Sequence, residues 1–492
     1  NSVVGIARTE WSRSSEYAAR SSTRFGVTAA GDPERQPPAQ VPPQSSTTPG
    51  WRPARDGWLP GTRRSCYSDP ATSDLQWNQQ ASKGSLPVTR RVKRAVIVGA
   101  GIGGLCTAIA LRKVGWDVAV YESRPDVRQS GAGLLIGANA IQALHRLGVA
   151  PQVIASSRIL KALDILSPDG KLLSRTTSRP VNDDGHPENI TILRSDLLAI
   201  LADTLGRDAI HTKKTCTHVD ATTGGVRAHF ADGTEATGDV LIAADGIHSA
   251  VRRQLLPGVR PRYAGYTCWR GVIADDAALR FDREVFTETW GAGARFGVAP
   301  LANNRIYWYA CLNARENDQR HADATAHSLL QYFGHFHEPV PDILERGGLE
   351  PLIWRDIVYL PPLRRFAFGR VALLGDAAHA TTPNLGQGAA QAMEDAVVLA
   401  AALRDHRDVV TALQHYEKVR VPRATRVTAM SNRVGNIAQW QHPWLVRMRN
   451  WSITRTPARM THAQFDYLHG VKLPRLDTPA SHGPQEPGLD RD

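Results

Sequence analysis

A six-residue turn, Gly99-Ala100-Gly101-Ile102-Gly103-Gly104, limits what this 492-residue chain can fold into more than any other segment. It follows the unbroken apolar run Ala95 to Val98 and opens a predicted helix from Ile102 to about Val114, with Leu105, Ala108, Ile109 and Leu111 toward a sheet. Each glycine has its own physical reason. Gly99 makes a tight turn, Gly101 lets the backbone approach a pyrophosphate, and Gly104 lets helix and strand pack closely. The helix N-terminus then offers its N–H groups to phosphate oxygens. A second strand is predicted over Asp117 to Tyr121, ending on Glu122, eighteen residues beyond Gly104, where a carboxylate can accept hydrogen bonds from a ribose diol. This is a βαβ opening for a dinucleotide, with NAD and FAD equally compatible.

A second constellation decides between them. Gly375-Asp376-Ala377-Ala378-His379 is followed by Pro383 and then by Gly386-Gln387-Gly388. Asp376 ends a predicted strand, Val371 to Leu374, where its carboxylate can bind ribityl hydroxyls. Gly386 to Gly388 open a predicted helix to Leu403, with Ala389, Ala392, Met393, Ala396, Val397 and Ala400 on its buried side. Reduced flavin is anionic, so a helix dipole beside the ring is useful without a titrating side chain. These residues favour FAD. Asp245-Gly246, after the predicted strand Asp239 to Ala244, forms a third motif with His248, Ser249 and Arg252, and Arg194 opens another helix. Taken singly, those two features read as an ordinary turn and an ordinary helix start.

Together the glycine fingerprint, Asp245-Gly246 and the GDAAH…P…GQG run resemble the single-component flavoprotein monooxygenases related to para-hydroxybenzoate hydroxylase, over about residues 93 to 425. Tyr263 to Val272, YAGYTCWRGV, is similar to salicylate hydroxylase, urate hydroxylase and zeaxanthin epoxidase. The resemblance implies bound FAD, reduction by NADH or NADPH, and insertion of one oxygen atom from O2 through a flavin hydroperoxide. It implies that Gly99, Gly101, Gly104, Glu122, Arg194, Asp245, Gly246, Asp376, Gly386, Gln387 and Gly388 serve the cofactor, and that Asp245-Gly246 also serves the nicotinamide nucleotide. Consistent with this, no second GxGxxG occurs. Pro383 is expected beside the reactive edge of the ring.

The candidate substrate contact is Tyr266, and a core tyrosine with a satisfied hydroxyl fits its pattern equally well. Arg270 could hold an acidic substrate group or, the favoured reading, a backbone carbonyl. Trp290, Phe296 and Trp308 could line the pocket, although sheet aromatics are usually core. His379 and His248 read as supporting structure rather than catalysts. Trp440, Trp444, Met448 and Trp451 recur at near-helical spacing, with Arg447 and Arg449 nearby. That suits a membrane-surface helix, but a C-terminal helix packed on the lobes is favoured.

The expected fold is α/β: a Rossmann-like FAD lobe interleaved with an antiparallel-sheet substrate lobe and a C-terminal helical segment. The FAD lobe is expected over 93–165, 190–261 and 356–425, the substrate lobe over 166–189 and 262–355, and helices over 426–472. Residues 1–92, rich in Ser, Pro, Arg and Gln, are expected to be a disordered leader, and 473–492 a disordered tail. The net charge of +12 suggests nucleic acid at first. Residues 1–94, however, hold 14 Lys or Arg against 7 Asp or Glu, which is +7 of that total, so no nucleic-acid partner is expected, and without a CxxC pair no metal is expected either. Cys66, Cys106, Cys216, Cys268 and Cys311 lie far apart with no CxxC pair, and neither a signal segment nor a membrane span is evident. A cytoplasmic monomer or homodimer is expected, with peripheral membrane contact left open. The primary reading is an aromatic-ring hydroxylase. Rivals are an epoxidase or hydroxylase of a lipophilic polyene, quinone or quinolone, and a flavin-binding protein that does not oxygenate.

Overall fold

In the computed structural model the described residues are 92–127, 132–179, 181–182, 185–348 and 352–477. The expected leader, with Cys66, and the tail beyond Asp477 lie outside them. Apolar runs of four or five residues make the strands Arg94–Val98, Asp117–Tyr121, Val240–Ala243 and Val371–Leu373. Such runs, buried on both faces, suit a parallel sheet. They pair parallel in the spatial order 371–373, 240–243, 94–98, 117–121, with the short pieces Ala367–Phe368 and Ile210–His211 at the edges. The helix Ile102–Lys113 lies on this sheet and is buried all round from Gly104 to Leu111, not only on the predicted stripe. The reason is that the helix Gly388–Asp405 covers its other side, close enough that a Cβ on Gly103 would meet Ala392.

The second sheet has seven strands in the order Ile353–Tyr359, Arg262–Ala274, Arg305–Asn313, Ala294–Leu301, Val285–Trp290, Ala162–Leu166 and Leu172–Thr177. Neighbours are antiparallel, as the alternation predicts, with one departure: Val285–Trp290 runs parallel to Ala162–Leu166. The hairpin 162–177 comes from far earlier in the chain, so its direction is not set by a local turn. One face of the sheet carries Trp269, Phe296 and Trp308, which pack with Phe333 and Ile343 into a second core. Phe296 and Trp308 stack there at 5.6 Å between ring centroids. These two therefore take the core role usual for sheet aromatics and do not line the pocket. Period-2 alternation puts them on the far face, while Tyr266, Cys268 and Arg270 occupy the near one.

The 30-residue helix Val409–Ala438, about 45 Å long, begins at Asp408, which accepts from the Thr411 N–H at 2.8 Å, and runs past the inserted Pro422. The helix Pro443–Thr454 follows it. Its buried residue, Arg449, donates to the carbonyls of Ala438, Trp290 and Gly291. The outward side carries Trp444, Met448 and Trp451, all exposed, so the packed-helix reading holds for the arginine side and fails for the aromatic one. Leu473 and Leu476, where a disordered tail was expected to begin, are buried in the main core.

Candidate functional site

The three glycines divide their work in the geometry. Gly99 has φ +102°, and a Cβ there would lie 2.3 Å from the Ala244 carbonyl oxygen. A Cβ on Gly104 would lie 1.9 Å from the Gly99 carbonyl oxygen. These two glycines are required by the protein itself. Gly101 is extended, and a Cβ there would meet no atom within 4 Å. The middle glycine keeps open space in front of the helix N-terminus, which is the cradle a pyrophosphate needs. Glu122, 8% exposed, accepts the Ala100 N–H at 2.8 Å through Oε2 and the Arg124 N–H at 2.9 Å through Oε1. Its carboxylate braces the turn.

Opposite the turn the chain leaves buried polar atoms without partners. Asp245 accepts from the Ala250 N–H at 2.8 Å through Oδ2, capping the short helix Ala250–Leu255, while its Oδ1 has none. Burial pushes this carboxyl above its usual range. Gly246 turns beside it at φ +77°. Arg194 Nε is also buried without a partner. Burial lowers the guanidinium's pKa, Arg124 and Arg270 lower it further, and the Asp376 carboxylate opposes them. Arg194 thus lies within electrostatic reach of Asp376, a carboxylate from a distant segment of the chain. Arg252 donates to the carbonyls of Ala377 and Ile247 and ties the Asp245 turn to the Asp376 turn. The open Gly101 cradle and the orphaned Asp245 and Arg194 atoms together fit FAD.

Gly386 closes the Pro383–Leu385 turn at φ +63°, and the helix Gly388–Asp405 starts just beyond. The Gln387 side chain is not aimed at a ligand: its Oε1 accepts from Asn139 at 2.9 Å and from Gln391 at 3.2 Å. Only its backbone is free for the cofactor role expected of it. Behind this helix lies a buried ionic network that sequence reasoning missed. Glu394 accepts from Arg420 at 2.5 Å, Arg423 at 2.6 Å and Asn139 at 2.7 Å. Asp395 accepts from Arg420 and His379, each at 2.6 Å, and from the Gly375 N–H at 3.0 Å. Burial raises both carboxyls, but Arg420, with His379 or Arg423, outweighs it and holds them below the usual range. His379 is locked there as support. A signal was available: two adjacent acids inside an otherwise apolar helix need buried cations, and Arg420 and Arg423 stand one turn apart on the next helix.

Tyr266 and the Pro383 turn meet through Asn384, whose Oδ1 accepts from the Tyr266 hydroxyl at 3.0 Å and from Arg295 Nη2 at 2.8 Å. Arg295, fully buried, also donates to Gln439 at 2.8 Å and Glu288 at 3.2 Å, and lies 5.2 Å from the Tyr266 ring centroid. Neither Arg295 nor Asn384 carried a sequence motif. Burial raises the Tyr266 hydroxyl far above its usual value, so it stays protonated. A cavity of about 120 Å³ is lined by Tyr263, Tyr266, Tyr359, Thr382, Asn384 and Asn436, among others, with no charged side chain. Arg270, four residues along the strand on the same face, sits beside the Tyr307 hydroxyl and the Cys268 thiol instead of in this cavity. Cys268 faces Cys311 across the strands, and the neighbouring Cys311 thiol, aided by Arg270 and Arg295 against burial, holds the Cys268 thiol below its usual range.

Residues 93–431 match the family described as "FAD binding domain". The aurachin C monooxygenase/isomerase of Stigmatella aurantiaca is 39% identical over 369 residues, covering 74% of this chain and 96% of that one. The 2-heptyl-3-hydroxy-4(1H)-quinolone synthase of Pseudomonas aeruginosa is 31% identical over 368 residues, covering 74% and 94%. The crystal structure of Klebsiella pneumoniae HpxO complexed with FAD and uric acid superposes with a TM-score of 0.68 at 31% identity, covering 76% of this chain and 96% of that one.

Proposed function

Because this chain belongs to the FAD binding domain family and is an FAD-dependent monooxygenase, we propose that it uses NAD(P)H and O2 to hydroxylate a neutral, electron-rich aromatic ring, a bicyclic heteroaromatic before a benzoate. One observation carries the choice: the cavity shared by Tyr266 and Asn384 offers phenol and amide groups and no cation. A carboxylated substrate would be left unpaired in such a lining. Relatives act on, or make, compounds such as uric acid and alkylquinolones, whose fused rings suit phenol and amide contacts. FAD, when bound, supplies the oxygen-activating chemistry. The chain's own part is to hold FAD and orient the ring.

In this reading Gly99, Gly101 and Gly104 present the helix N-terminus to the pyrophosphate, with Arg194 as counter-charge. Glu122 and Asp376 serve the sugar hydroxyls. Asp245-Gly246 and the backbone at Gly386 to Gly388 border the flavin. Pro383, exposed at the head of its turn, closes the ring's edge against water. Tyr266 keeps its proton on Asn384, so its oxygen accepts a hydrogen bond from a substrate O–H or N–H and raises electron density in the ring. Arg270 supports the Tyr307 and Cys268 side of the same face and takes no substrate charge. Among the described residues no helix is long and apolar enough to cross a membrane, and we place the enzyme in the cytoplasm, where NAD(P)H is supplied.

Substrate-stimulated NAD(P)H oxidation over a panel of neutral heteroaromatics and benzoates tests the reading. A product heavier by one oxygen atom is expected from the heteroaromatics. Protein that stays colourless after reconstitution with FAD, or oxidation indifferent to every ring, overturns it. Tyr266→Phe removes one neutral hydrogen bond, about 0.5–1.5 kcal/mol, and is expected to lower kcat/KM roughly 2- to 13-fold with flavin content unchanged. An unaltered kcat/KM would make Tyr266 a core residue only.

A further inference from the structure

From Lys418 to Phe465 the chain carries nine Lys or Arg and no Asp or Glu. Arg420 and Arg423 hold the Glu394–Asp395 network, and Arg449 is buried under the helix Pro443–Thr454. Arg447 and Arg455 remain exposed on and just beyond that helix. They share its outward side with Trp444 (63% exposed), Met448 (37%) and Trp451 (57%), at spacings of three, four and seven residues. No other tryptophan among the described residues is comparably exposed. Arg455 stacks over Trp451 at 4.7 Å. Leu445, Val446, Asn450 and Ile453 turn inward with Arg449. The exposed Leu172 lies on the edge strand against which the helix packs.

The helix is held firmly. Arg449 grips three carbonyls, Asn313 donates to the Gln439 carbonyl at 3.0 Å and to Gln441 at 3.1 Å, and the Gly293 N–H donates to the Trp440 carbonyl at 3.0 Å. It also begins five residues after the helix whose Asn432, Gly435 and Asn436 line the cavity. A fixed helix whose outer side joins tryptophans to arginines without an acid has the chemistry of a headgroup-level anchor. Indole rings seat at the acyl boundary, and guanidinium groups meet lipid phosphate and carboxylate.

We propose that the Trp444–Trp451 side of this helix docks the enzyme on an anionic phospholipid bilayer, beside the mouth of the cavity. The consequence for substrate rests on the proposed function: a bilayer is where an aromatic ring bearing an alkyl chain partitions. The docking itself does not rest on it.

The test is co-sedimentation of the FAD-loaded full chain with phosphatidylcholine vesicles, with and without phosphatidylserine. Binding to the phosphatidylserine vesicles is expected, weakening as salt rises. Arg447→Gln and Arg455→Gln should each weaken it about 5-fold, and Trp444→Ser with Trp451→Ser at least about tenfold, with flavin content unchanged. The tryptophan variant should keep its turnover of a soluble ring and lose turnover of a vesicle-borne alkylated one. No vesicle binding, equal binding to both compositions, or a dimer that the same substitutions dissociate would overturn the proposal. Failure to hydroxylate any ring would sink the functional reading and leave the vesicle result standing.

Discussion

Gly101→Val is expected to yield a folded protein without flavin. A Cβ at this position meets no atom within 4 Å, and the extended backbone accepts a β-branched residue. What it occupies is the space before the N-terminus of the Ile102–Lys113 helix. The variant should therefore match flavin-stripped wild type in circular dichroism and melting temperature. It should fall below the FAD-loaded enzyme by the linkage term, about 2.7 kcal/mol for a ligand at one hundred times its Kd. Gly104→Val is the contrast. Its Cβ would lie 1.9 Å from the Gly99 carbonyl oxygen, so the helix must move off the strand, and the fold itself is expected to fail or to melt well below the flavin-free protein. Absorbance of the purified proteins in the flavin band, set beside their melting curves, separates the two cases. Stoichiometric flavin in Gly101→Val would remove the cradle from the account of this site.

The contrast also shows why some of this protein is legible in sequence and some is not. The cofactor lobe announces itself because its constraints are local. Gly99, Gly101, Gly104 and Glu122 all belong to one βαβ unit, and the turns at Gly246 and Gly386 need a positive φ that glycine supplies. The near face of the second sheet is different. Its polar centre is assembled from Tyr266, Arg295, Asn384 and Gln439, up to 173 residues apart in the chain. No spacing rule joins two strands, a turn and a helix end that meet only in the folded chain. Register also decides which sheet aromatics are core and which face the polar centre. Tyr307, Trp308 and Tyr309 are successive, yet Trp308 enters the far core while its neighbours face the site. On the helix Pro443–Thr454 the reading favoured one packed face. The buried Arg449, gripping carbonyls, takes the place an aromatic would hold in an apolar interface.

Arg420→Met tests the largest buried electrostatic term. The side chain fits the volume, but Glu394 and Asp395, both fully buried, lose the cation that each contacts within 2.6 Å. Removing one partner from a buried ionic group costs about 3–5 kcal/mol, a large share of the 5–15 kcal/mol that holds a typical domain. His379 still reaches Asp395, and Arg423 still reaches Glu394, so a destabilised fold is expected rather than none. The pH dependence has a definite sign. Both carboxyls are held below their ordinary values in the folded state. Their contribution is therefore complete above about pH 4, near the unfolded value, and is lost as pH falls toward the depressed folded values. Wild type should lose stability on acidification through that window, and Arg420→Met should lose less because less is present. Flavin retention should fall with stability. Asp395 accepts from the Gly375 N–H, and Glu394 shares Asn139 with Gln387, so the network braces from behind both glycine turns proposed to hold the flavin. Combining Arg420→Met with Glu394→Gln and Asp395→Asn removes the three fully buried charges together, leaves Arg423 on the Tyr467 and Leu468 carbonyls, and should recover part of the loss. Urea unfolding of the single and triple variants at neutral and acidic pH decides the matter. A single variant as stable as wild type would mean that Arg420 contributes shape alone.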